Sequence, residues 1–214
     1  MEIVRFKCLE STQLYLVENL RNGSLKAPIM VVAQTQSSGI GSRGNVWESV
    51  EDGLYFSFAI PQFMLPKDLP LASISIYMGC IFKEILNQNG AEVWLKWPND
   101  LYVGNKKAGG VICSKSLENV IVGIGINLKV SSADFGVVKV GIQKEEILKD
   151  LIEILECEEK KSSWKQIFSK YALEFSKNFN YGFHYKGRIV EMREAVLCDD
   201  GAILIENEKI YSLR

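Results

Sequence analysis

The sequence has very little histidine: His184 is the single one among 214 residues. A histidine-based catalytic triad, or a metal site built from several histidines, would have to rest on this one residue. It lies in a polar and aromatic stretch, NYGFHYKGR, where we interpret it as a structural or surface residue. The chemistry must therefore come from lysine, arginine, amides, carboxylates and backbone groups.

Paired cysteines are also missing, since the five cysteines are scattered and form no C-x-x-C. Neither a disulfide framework nor a zinc site follows from an odd number without paired spacing. The opening residues, MEIVRFKCLE, lack the apolar segment of a secretory signal. We therefore expect a cytoplasmic protein whose cysteines are ordinary thiols.

Long apolar runs and a strong net charge are absent as well. Hydrophobic residues make up 47% of the chain, but no run approaches the ~18 apolar residues of a membrane span. A formal net charge of −1 gives no basic surface for nucleic acid. We predict neither membrane nor nucleic acid as a partner, and one sizeable core with room for a small additional module.

The apolar spacing predicts an α+β fold. Strands are expected at 2–9, 29–33, 54–60 and 120–128, and helices at 14–20, 66–89, 144–156 and 162–179. Ser11 or Thr12 is placed to cap the first helix. Short strands with tight turns between residues 91 and 128 favour an antiparallel or mixed sheet. From residue 187 the pattern changes to a meander of short strands, which predicts a boundary near residue 182.

A glycine-rich loop, Gly39-Ile40-Gly41-Ser42-Arg43-Gly44, spells G-x-G-x-x-G. A dinucleotide-binding fingerprint needs a helix that opens at its last glycine. Here the chain continues NVWESVEDG into a turn and another strand, so no helix N-terminus is available for a pyrophosphate. We interpret the stretch as a loop that folds over a ligand, with backbone N–H groups free to meet an anion.

Two further motifs carry polar groups on predicted strands and turns. The stretch from Lys96 to Asp100 reads KWPND, Lys106 to Gly110 reads KKAGG, and Gly123 to Asn127 reads GIGIN. Pairing of these strands would bring Asn99, Lys107 and Asn127 to neighbouring positions on one sheet face. An apolar sheet face with a few amides and one lysine suits a neutral organic ligand beside a phosphate group.

The order QSSGIGSRGNVW, KWPNDLYVGNKKAGG, GIGINL resembles the catalytic domain of biotin protein ligases. The resemblance runs from residue 9 to Leu128, and the C-terminal strands ending IYSLR resemble a shortened form of that family's small barrel. It implies a catalytic domain related to class II aminoacyl-tRNA synthetases at 1–182, with a mixed sheet flanked by helices. A short SH3-like β module is expected at 183–214.

The resemblance also implies a reaction. Biotin and ATP would form biotinyl-5′-AMP, with Mg²⁺ held mainly by phosphates, and the biotinyl group would pass to a lysine of a biotin carboxyl carrier protein of acetyl-CoA carboxylase. Because the predicted catalytic strand begins at residue 2, we expect no DNA-reading element before it. A lipoate ligase and a catalytically weak biotin sensor are the alternatives; KWPND and Lys107 argue against both.

Site residues follow by matching this sequence to the family's motifs. Lys107 matches the lysine that bridges biotin carboxylate and α-phosphate, and we assign it a catalytic role with Arg43. The implied biotin contacts are Ser11, Thr12, Gln13, Gln36, Gly39, Gly41, Ser42, Lys107, Gly110 and Gly123. The implied ATP or adenylate contacts are Arg43, Trp47, Lys96, Asn99, Asp100 and Asn127. Two roles remain possible for Asp100, which could hold the metal or orient Lys96. Trp97 could belong either to the core or to the wall of the ligand site.

The loop departs from the family's G-R-G-R-x-G-R. Three arginine positions carry Ile40, Ser42 and Asn45, while Arg43 stands at the variable position. Those arginines are implied to order the loop and hold the acyl-adenylate. We therefore expect weaker biotin binding and easier escape of biotinyl-AMP, with Arg43 as a partial substitute.

Overall fold

The computed structural model describes residues 1–130 and 132–211. The α-helices in these ranges are α1 (Thr12–Arg21), α2 (Ile74–Gln88), α3 (Lys144–Glu156) and α4 (Trp164–Glu174). Across the same ranges, no helix is both long and apolar enough to cross a membrane.

The first and third helices agree with the sequence prediction. Ser11 is the N-cap of α1: its hydroxyl oxygen accepts a hydrogen bond from the backbone N–H of Leu14 at 3.4 Å, which satisfies a donor that the helix start leaves free. The helix predicted over 144–156 is confirmed as α3. Glu145 and Glu146 lie in its first turn, where the helix dipole favours acidic side chains.

The other two helices have different bounds from those predicted. The helix predicted over 66–89 begins only at Ile74, after a short 3₁₀ turn that Pro70 precedes. Proline lacks an N–H and disfavours helical backbone in the residue before it, so the α-helix does not start earlier. The helix predicted over 162–179 ends as an α-helix at Glu174 and continues as 3₁₀ turns.

Seven strands form the central sheet. They are β1 (Glu2–Leu9), β2 (Ile29–Gln36), β5 (Asp52–Pro61), β6 (Val93–Lys96), β7 (Asp100–Val103), β8 (Lys106–Ser116) and β9 (Asn119–Lys129). A small hairpin between β2 and β5 consists of β3 (Gly39–Ile40) and β4 (Val46–Trp47). The order across the sheet is β1-β2-β5-β9-β8-β7-β6. Strands β1 and β2 pair in parallel, and every other pair of neighbouring strands in this sheet is antiparallel. The predicted mixed sheet is therefore confirmed.

Helices cover both faces of this sheet. On one face, α1 packs Leu16 and Leu20 against Val31, Ala59 and Ile121. On the other face, α2, α3 and α4 bury their apolar sides in a larger core with β5 and β9. Each fully buried leucine or phenylalanine contributes roughly 1.5–3 kcal/mol, so the two apolar layers fix the position of the sheet between the helices.

The tail forms the predicted meander of short strands. Its strands are β10 (Gly182–Tyr185), β11 (Arg188–Glu191), β12 (Val196–Leu197), β13 (Ile203–Ile205) and β14 (Glu208–Ile210). β10 pairs with β11, and β12, β13 and β14 form a second small sheet. Val190, Met192 and Ile203 are buried in the larger core. The division at residue 182 stays a prediction, and Ser212–Arg214 of the IYSLR ending lie outside the described residues.

The α1 face of the sheet is hollow beyond the start of that helix. Side chains alternate between faces along a strand, so Gly123 and Gly125 share the face of Ile121, which packs under α1. Ser57 lies opposite Gly123 in the register, and Gly110 lies opposite Gly125. Small or missing side chains on three neighbouring strands therefore leave space above the sheet.

Candidate active site

A cleft with about 430 Å³ of space, part of it open to solvent, lies over this hollow. The start of α1, the end of β2, the β3–β4 hairpin and strands β5, β8 and β9 surround it. The predicted site residues that line it are Ser11, Thr12, Gln13, Gln36, Gly41, Ser42, Trp47, Asn99, Asp100, Lys107, Gly110 and Gly123. The fold thus brings together side chains from stretches that are far apart in the sequence.

Hydroxyl and amide groups converge at the α1 end of the cleft. Thr12 Oγ1 lies 2.8 Å from Ser57 Oγ and 3.1 Å from Gln36 Oε1. The same Gln36 oxygen accepts a hydrogen bond from the Thr12 backbone N–H at 2.8 Å. Ser49 holds Gln36 from behind, since its hydroxyl accepts from the Gln36 N–H and donates to the Gln36 carbonyl. This end offers fixed donors and acceptors to a polar ring.

Gln13 packs closely over Gly123. Its Nε2 donates to Ser114 Oγ at 2.9 Å, while its buried Oε1 has no hydrogen-bond partner among the described residues. A Cβ on residue 123 would lie 2.7 Å from that oxygen. At Gly110 a Cβ would meet nothing closer than 3.6 Å, so the predicted close approach to ligand there stays a prediction.

The glycine loop forms a hairpin with a 3₁₀ turn at Ser42–Gly44, and no α-helix follows it. This confirms that the G-x-G-x-x-G stretch is not a dinucleotide fingerprint. Gly39 is buried without lining the cleft, and a Cβ there would lie 2.5 Å from the Trp47 carbonyl oxygen. The side chain of Arg43 lies outside what the structure describes, so its catalytic role stays a prediction.

Trp47 closes one wall of the cleft. Its indole lies across β9 so closely that a Cβ on Gly125 would be 3.0 Å from ring atoms. The ammonium of Lys107 lies 5.6 Å from the centre of the Trp47 ring, a distance at which the ring face attracts a cation. The predicted position of Trp47 against the ligand cleft therefore has a steric basis in the missing side chain of residue 125.

Lys107 and Asp100 face each other across the β7–β8 pair. The Lys107 Nζ lies 2.6 Å from Asp100 Oδ1, so the two groups form an ion pair. The Lys107 side chain is 37% exposed and that of Asp100 19%. An ammonium held at the mouth of a cleft by one carboxylate can exchange that partner for an anionic ligand.

The two predicted amides occupy different places. Asn99 is buried and makes two hydrogen bonds to Val111 of β8. Its side-chain Nδ2 donates to the Val111 carbonyl at 2.8 Å, and its backbone carbonyl accepts from the Val111 N–H at 2.8 Å. Asn127 lines an adjoining space of about 810 Å³, part of it open to solvent, together with Trp47 and Lys107. Its Nδ2 donates to the Gly136 carbonyl at 3.4 Å. Lys107 therefore stands between the cleft and this second space.

Lys96 and Trp97 do not line the cleft. The Lys96 ammonium lies 5.3 Å and 5.0 Å from the ring centres of Tyr102 and Tyr181. Burial, with the nearby charge of Asp100 and the Tyr181 ring, raises the pKa of Tyr102 to about 12, so this ring stays neutral beside the lysine. The predicted phosphate contact of Lys96 stays a prediction, while Trp97, only 3% exposed, belongs to the core.

Buried polar atoms without a hydrogen-bond partner gather around the cleft. Within the described residues there are five such side-chain atoms; three belong to Gln13, Trp47 and Asn127, and a fourth, Asp100 Oδ1, has only its ion pair with Lys107. Burial of a polar group without a partner costs about 1–3 kcal/mol. Their grouping at one place indicates a ligand that brings both donors and acceptors.

Sequence reasoning missed two residues of this site. Ser57 contacts Thr12 from the floor of the cleft and is fully buried; a single serine within the apolar strand LYFSFAI was the available signal. Gly125 receives the Trp47 indole, and its signal was the second glycine of GIGIN. Both lie in strands, where a small or polar residue in place of an apolar one on the buried face indicates a cleft.

Solved structures share this fold over nearly the whole chain. A biotin acetyl coenzyme A carboxylase synthetase from Helicobacter pylori, solved with bound biotinylated ATP, is 40% identical with a TM-score of 0.92, and the match covers 98% of this chain and 99% of that one. A biotin protein ligase from Aquifex aeolicus, solved with biotin and ATP, is 26% identical with a TM-score of 0.74, covering 100% and 96%. The fold is that of biotin protein ligases.

The family follows from the sequence match. The model of the biotin/lipoate A/B protein ligase family matches residues 5–131, and the chain belongs to this family. The Escherichia coli bifunctional ligase/repressor BirA is 32% identical over 142 residues, which are 62% of this chain and 42% of BirA. The chain thus spans less than half the length of the curated relatives it matches.

Proposed function

We propose that the protein is an ATP-dependent biotin protein ligase. It activates biotin to biotinyl-5′-AMP and transfers the biotinyl group to one lysine of a biotin carboxyl carrier protein, as in acetyl-CoA carboxylase. Of the two named neighbours of high coverage, the Helicobacter pylori protein was solved with biotinylated ATP and the Aquifex aeolicus protein with biotin and ATP. The presence of KWPND and Lys107 favours this activity over that of a lipoate ligase or a biotin sensor.

The observation that carries the proposal is the placement of Lys107. Its ammonium lies at the mouth of a cleft whose far end holds the hydroxyl and amide groups of Thr12, Ser57 and Gln36. Two anions, a carboxylate and a phosphate, repel by ~4 kcal/mol at 4 Å with the effective dielectric of a protein surface. A cation between them removes that repulsion and stabilises the charge that develops on the phosphate.

In the first step, a biotin carboxylate oxygen forms a bond to the α-phosphorus of ATP and the bond to pyrophosphate breaks. In the second, the ε-amine of the carrier lysine attacks the acyl carbon, loses a proton and releases AMP. Thr12, Gln13 and Gln36 bind the ureido ring, and Lys107 changes partner from Asp100 to the reacting anions. No nucleophile on the enzyme is needed.

The residues at the cleft fit a magnesium ion that is held mainly by substrate phosphates. Mg²⁺ is commonly bound by one or two carboxylates plus phosphate oxygens. Asp100 is the carboxylate that lines the cleft, and the described residues hold no cluster of three or more metal-ligating side chains. When bound, the ion would neutralise phosphate charge, and Asp100 would be its protein ligand once Lys107 has turned to the substrate.

We further propose that residues 1–182 carry this activity, that 183–214 form a shortened C-terminal module, and that the protein works in the cytoplasm. The cleft residues named above all lie before residue 130. The tail contributes to the core under the sheet instead.

One assay separates the proposed activity from its alternatives. The purified protein is incubated with ATP, Mg²⁺, an apo carrier domain and either biotin or lipoate, and the carrier is weighed by mass spectrometry. We expect a biotin-sized addition on one lysine. A lipoyl addition would favour the lipoate ligase, and biotin binding without transfer would favour the sensor.

A further inference from the structure

The C-terminal turn at 199–201 is held by two tryptophans from different parts of the chain. Trp97 Nε1 donates to the Gly201 carbonyl at 3.0 Å, and Trp164 Nε1 donates to the Asp199 carbonyl at 2.9 Å. Both side chains are almost fully buried. Gly201 has φ +80°, a backbone conformation that favours glycine, so the direction of its carbonyl is fixed by the turn.

What distinguishes the two tryptophans is the chain that follows them. Trp164 opens α4, on the face of the sheet away from the cleft. Trp97 precedes the turn that delivers Asn99 and Asp100 to the cleft. Trp97 therefore lies within two or three residues of cleft residues along the chain, whereas Trp164 does not.

Trp97, which precedes the turn with Asn99 and Asp100, is also held by residues of the C-terminal part of the chain. The Trp97 backbone N–H donates to Asn178 Oδ1 at 2.8 Å, and the ring of Phe183 meets the Trp97 ring at 5.7 Å between centres. Asn178 is itself fixed, since its Nδ2 donates to the Phe175 carbonyl at 2.9 Å. Neither Asn178 nor Phe183 lines the cleft, and both contact Trp97, which lies two residues before Asn99.

On its other side, the turn is tied to the strand that bears the reacting lysine. Asn99 makes two hydrogen bonds to Val111 of β8, each 2.8 Å long. Asp100 comes next and pairs with Lys107 of the same strand at 2.6 Å. A continuous series of contacts thus runs from the Gly201 carbonyl through Trp97 to Lys107.

We propose that Trp97 is a positioning residue through which the C-terminal turn sets the place of Asn99 and Asp100, and hence of the Lys107 ammonium. The effect on catalysis rests on the proposed ligase function, but the effect on geometry does not. Without the indole N–H, Trp97 loses one of its two hydrogen bonds to the C-terminal side, and the one to Asn178 remains. The module then influences nucleotide binding although none of its described residues lines the cleft.

The test compares Trp97→Phe with Trp164→Phe in the full chain. Both substitutions remove an indole N–H that donates to the same turn, and both shorten a buried ring. We expect similar losses of thermal stability, but a KM for ATP raised about threefold to tenfold in Trp97→Phe alone, the range of one lost hydrogen bond. Equal KM values in the two variants would overturn the proposal.

A second measurement does not depend on activity. Hydrogen–deuterium exchange reports the opening of the Val111 N–H, which is bonded to the Asn99 carbonyl. We expect Trp97→Phe to accelerate it about threefold to tenfold relative to the amides of β5, and Trp164→Phe to leave that ratio unchanged. An unchanged ratio in Trp97→Phe would overturn the proposal even if the chain were no ligase; if the parent chain transfers no biotin, only the proposed function fails.

Discussion

At the scale of single residues, Lys107 is a cation with a replaceable partner. Asp100 pairs with it at the edge of a cleft where other polar atoms are buried without hydrogen-bond partners. The sequence alone did not decide whether Asp100 binds the metal or orients Lys96. The structure adds Lys107 as its partner, because β7 and β8 pair with a register shift after Leu101 that brings residues 100 and 107 together.

Removal of the Lys107 charge should abolish adenylation. We expect Lys107→Ala to lower the rate of biotin-dependent pyrophosphate exchange by at least about 100-fold, since a lost charged donor to a developing anion costs about 2.7–4 kcal/mol. Lys106→Ala is the matched control from the same strand, because Lys106 donates to the Ala133 carbonyl at the surface. Equal rates in both variants would contradict the role of Lys107.

A methyl group at residue 123 should weaken biotin binding. In Gly123→Ala the new Cβ would lie 2.7 Å from Gln13 Oε1, so it displaces an acceptor and fills the cleft. We expect the KM for biotin to rise roughly tenfold or more, because one extra methylene in a filled pocket is worth ~1–3 kcal/mol. Gly141→Ala, whose Cβ would meet only the Asn89 carbonyl at 3.7 Å, should leave it unchanged. A normal KM in Gly123→Ala would show that the cleft does not bind biotin there.

At the scale of elements, the β3–β4 hairpin carries the loop that departs from the motif implied by the family resemblance. It closes the cleft through Trp47, yet Ile40, Ser42 and Asn45 stand where the family has arginines. A loop with fewer cations holds an acyl-adenylate less firmly, since the phosphate then loses charge-assisted hydrogen bonds. No feature of the structure explains why these arginines are absent.

Restoring the arginines should therefore reduce the escape of biotinyl-AMP. We expect the chain itself to biotinylate bystander lysines, and the triple variant Ile40→Arg, Ser42→Arg, Asn45→Arg to label them several-fold less, as each charge-assisted contact is worth ~1.5–3 kcal/mol. Mass spectrometry of a mixture of bystander proteins measures both. Equal bystander labelling by the two proteins would defeat the hypothesis.

Helix α4 offers a test of local stability away from the cleft. Ser163 is its N-cap and forms a capping box with Gln166. We expect Ser163→Ala to lower the free energy of unfolding by about 1 kcal/mol in urea denaturation, with no change in the KM for biotin. Ser169→Ala, at an exposed site in the same helix, should change the stability by less than about 0.5 kcal/mol. If both variants are equally stable, the cap contributes nothing.

At the scale of the whole molecule, local sequence patterns predicted the helices and strands better than their boundaries and the contacts between them. The strands around residues 29–33 and 54–60 and the helix at 144–156 were readable because their apolar spacing is regular. The predicted start of α2 at residue 66 was wrong, because Pro70 interrupts an apolar spacing that otherwise looks continuous. Side-chain partners such as Ser57 with Thr12 depend on how α1 packs against β5, which sequence spacing does not specify.

The same limit applies to the site. Lys107, Gln36 and Trp47 came from matching motifs, and the structure brings them to one cleft. Lys96 lies instead between two tyrosine rings, because β6 is an edge strand beside the C-terminal segment. The contact of Trp97 with Gly201 spans 104 residues of sequence, and no local pattern contains it.

A crystal structure grown with biotin and a non-hydrolysable ATP analogue tests the central claim most directly. We predict that the Lys107 Nζ leaves Asp100 and lies within hydrogen-bond distance of both the biotin carboxylate and the α-phosphate, with the ureido ring against Thr12 and Gln36. A Lys107 side chain directed into bulk solvent, with both ligands bound elsewhere, would contradict the proposed mechanism.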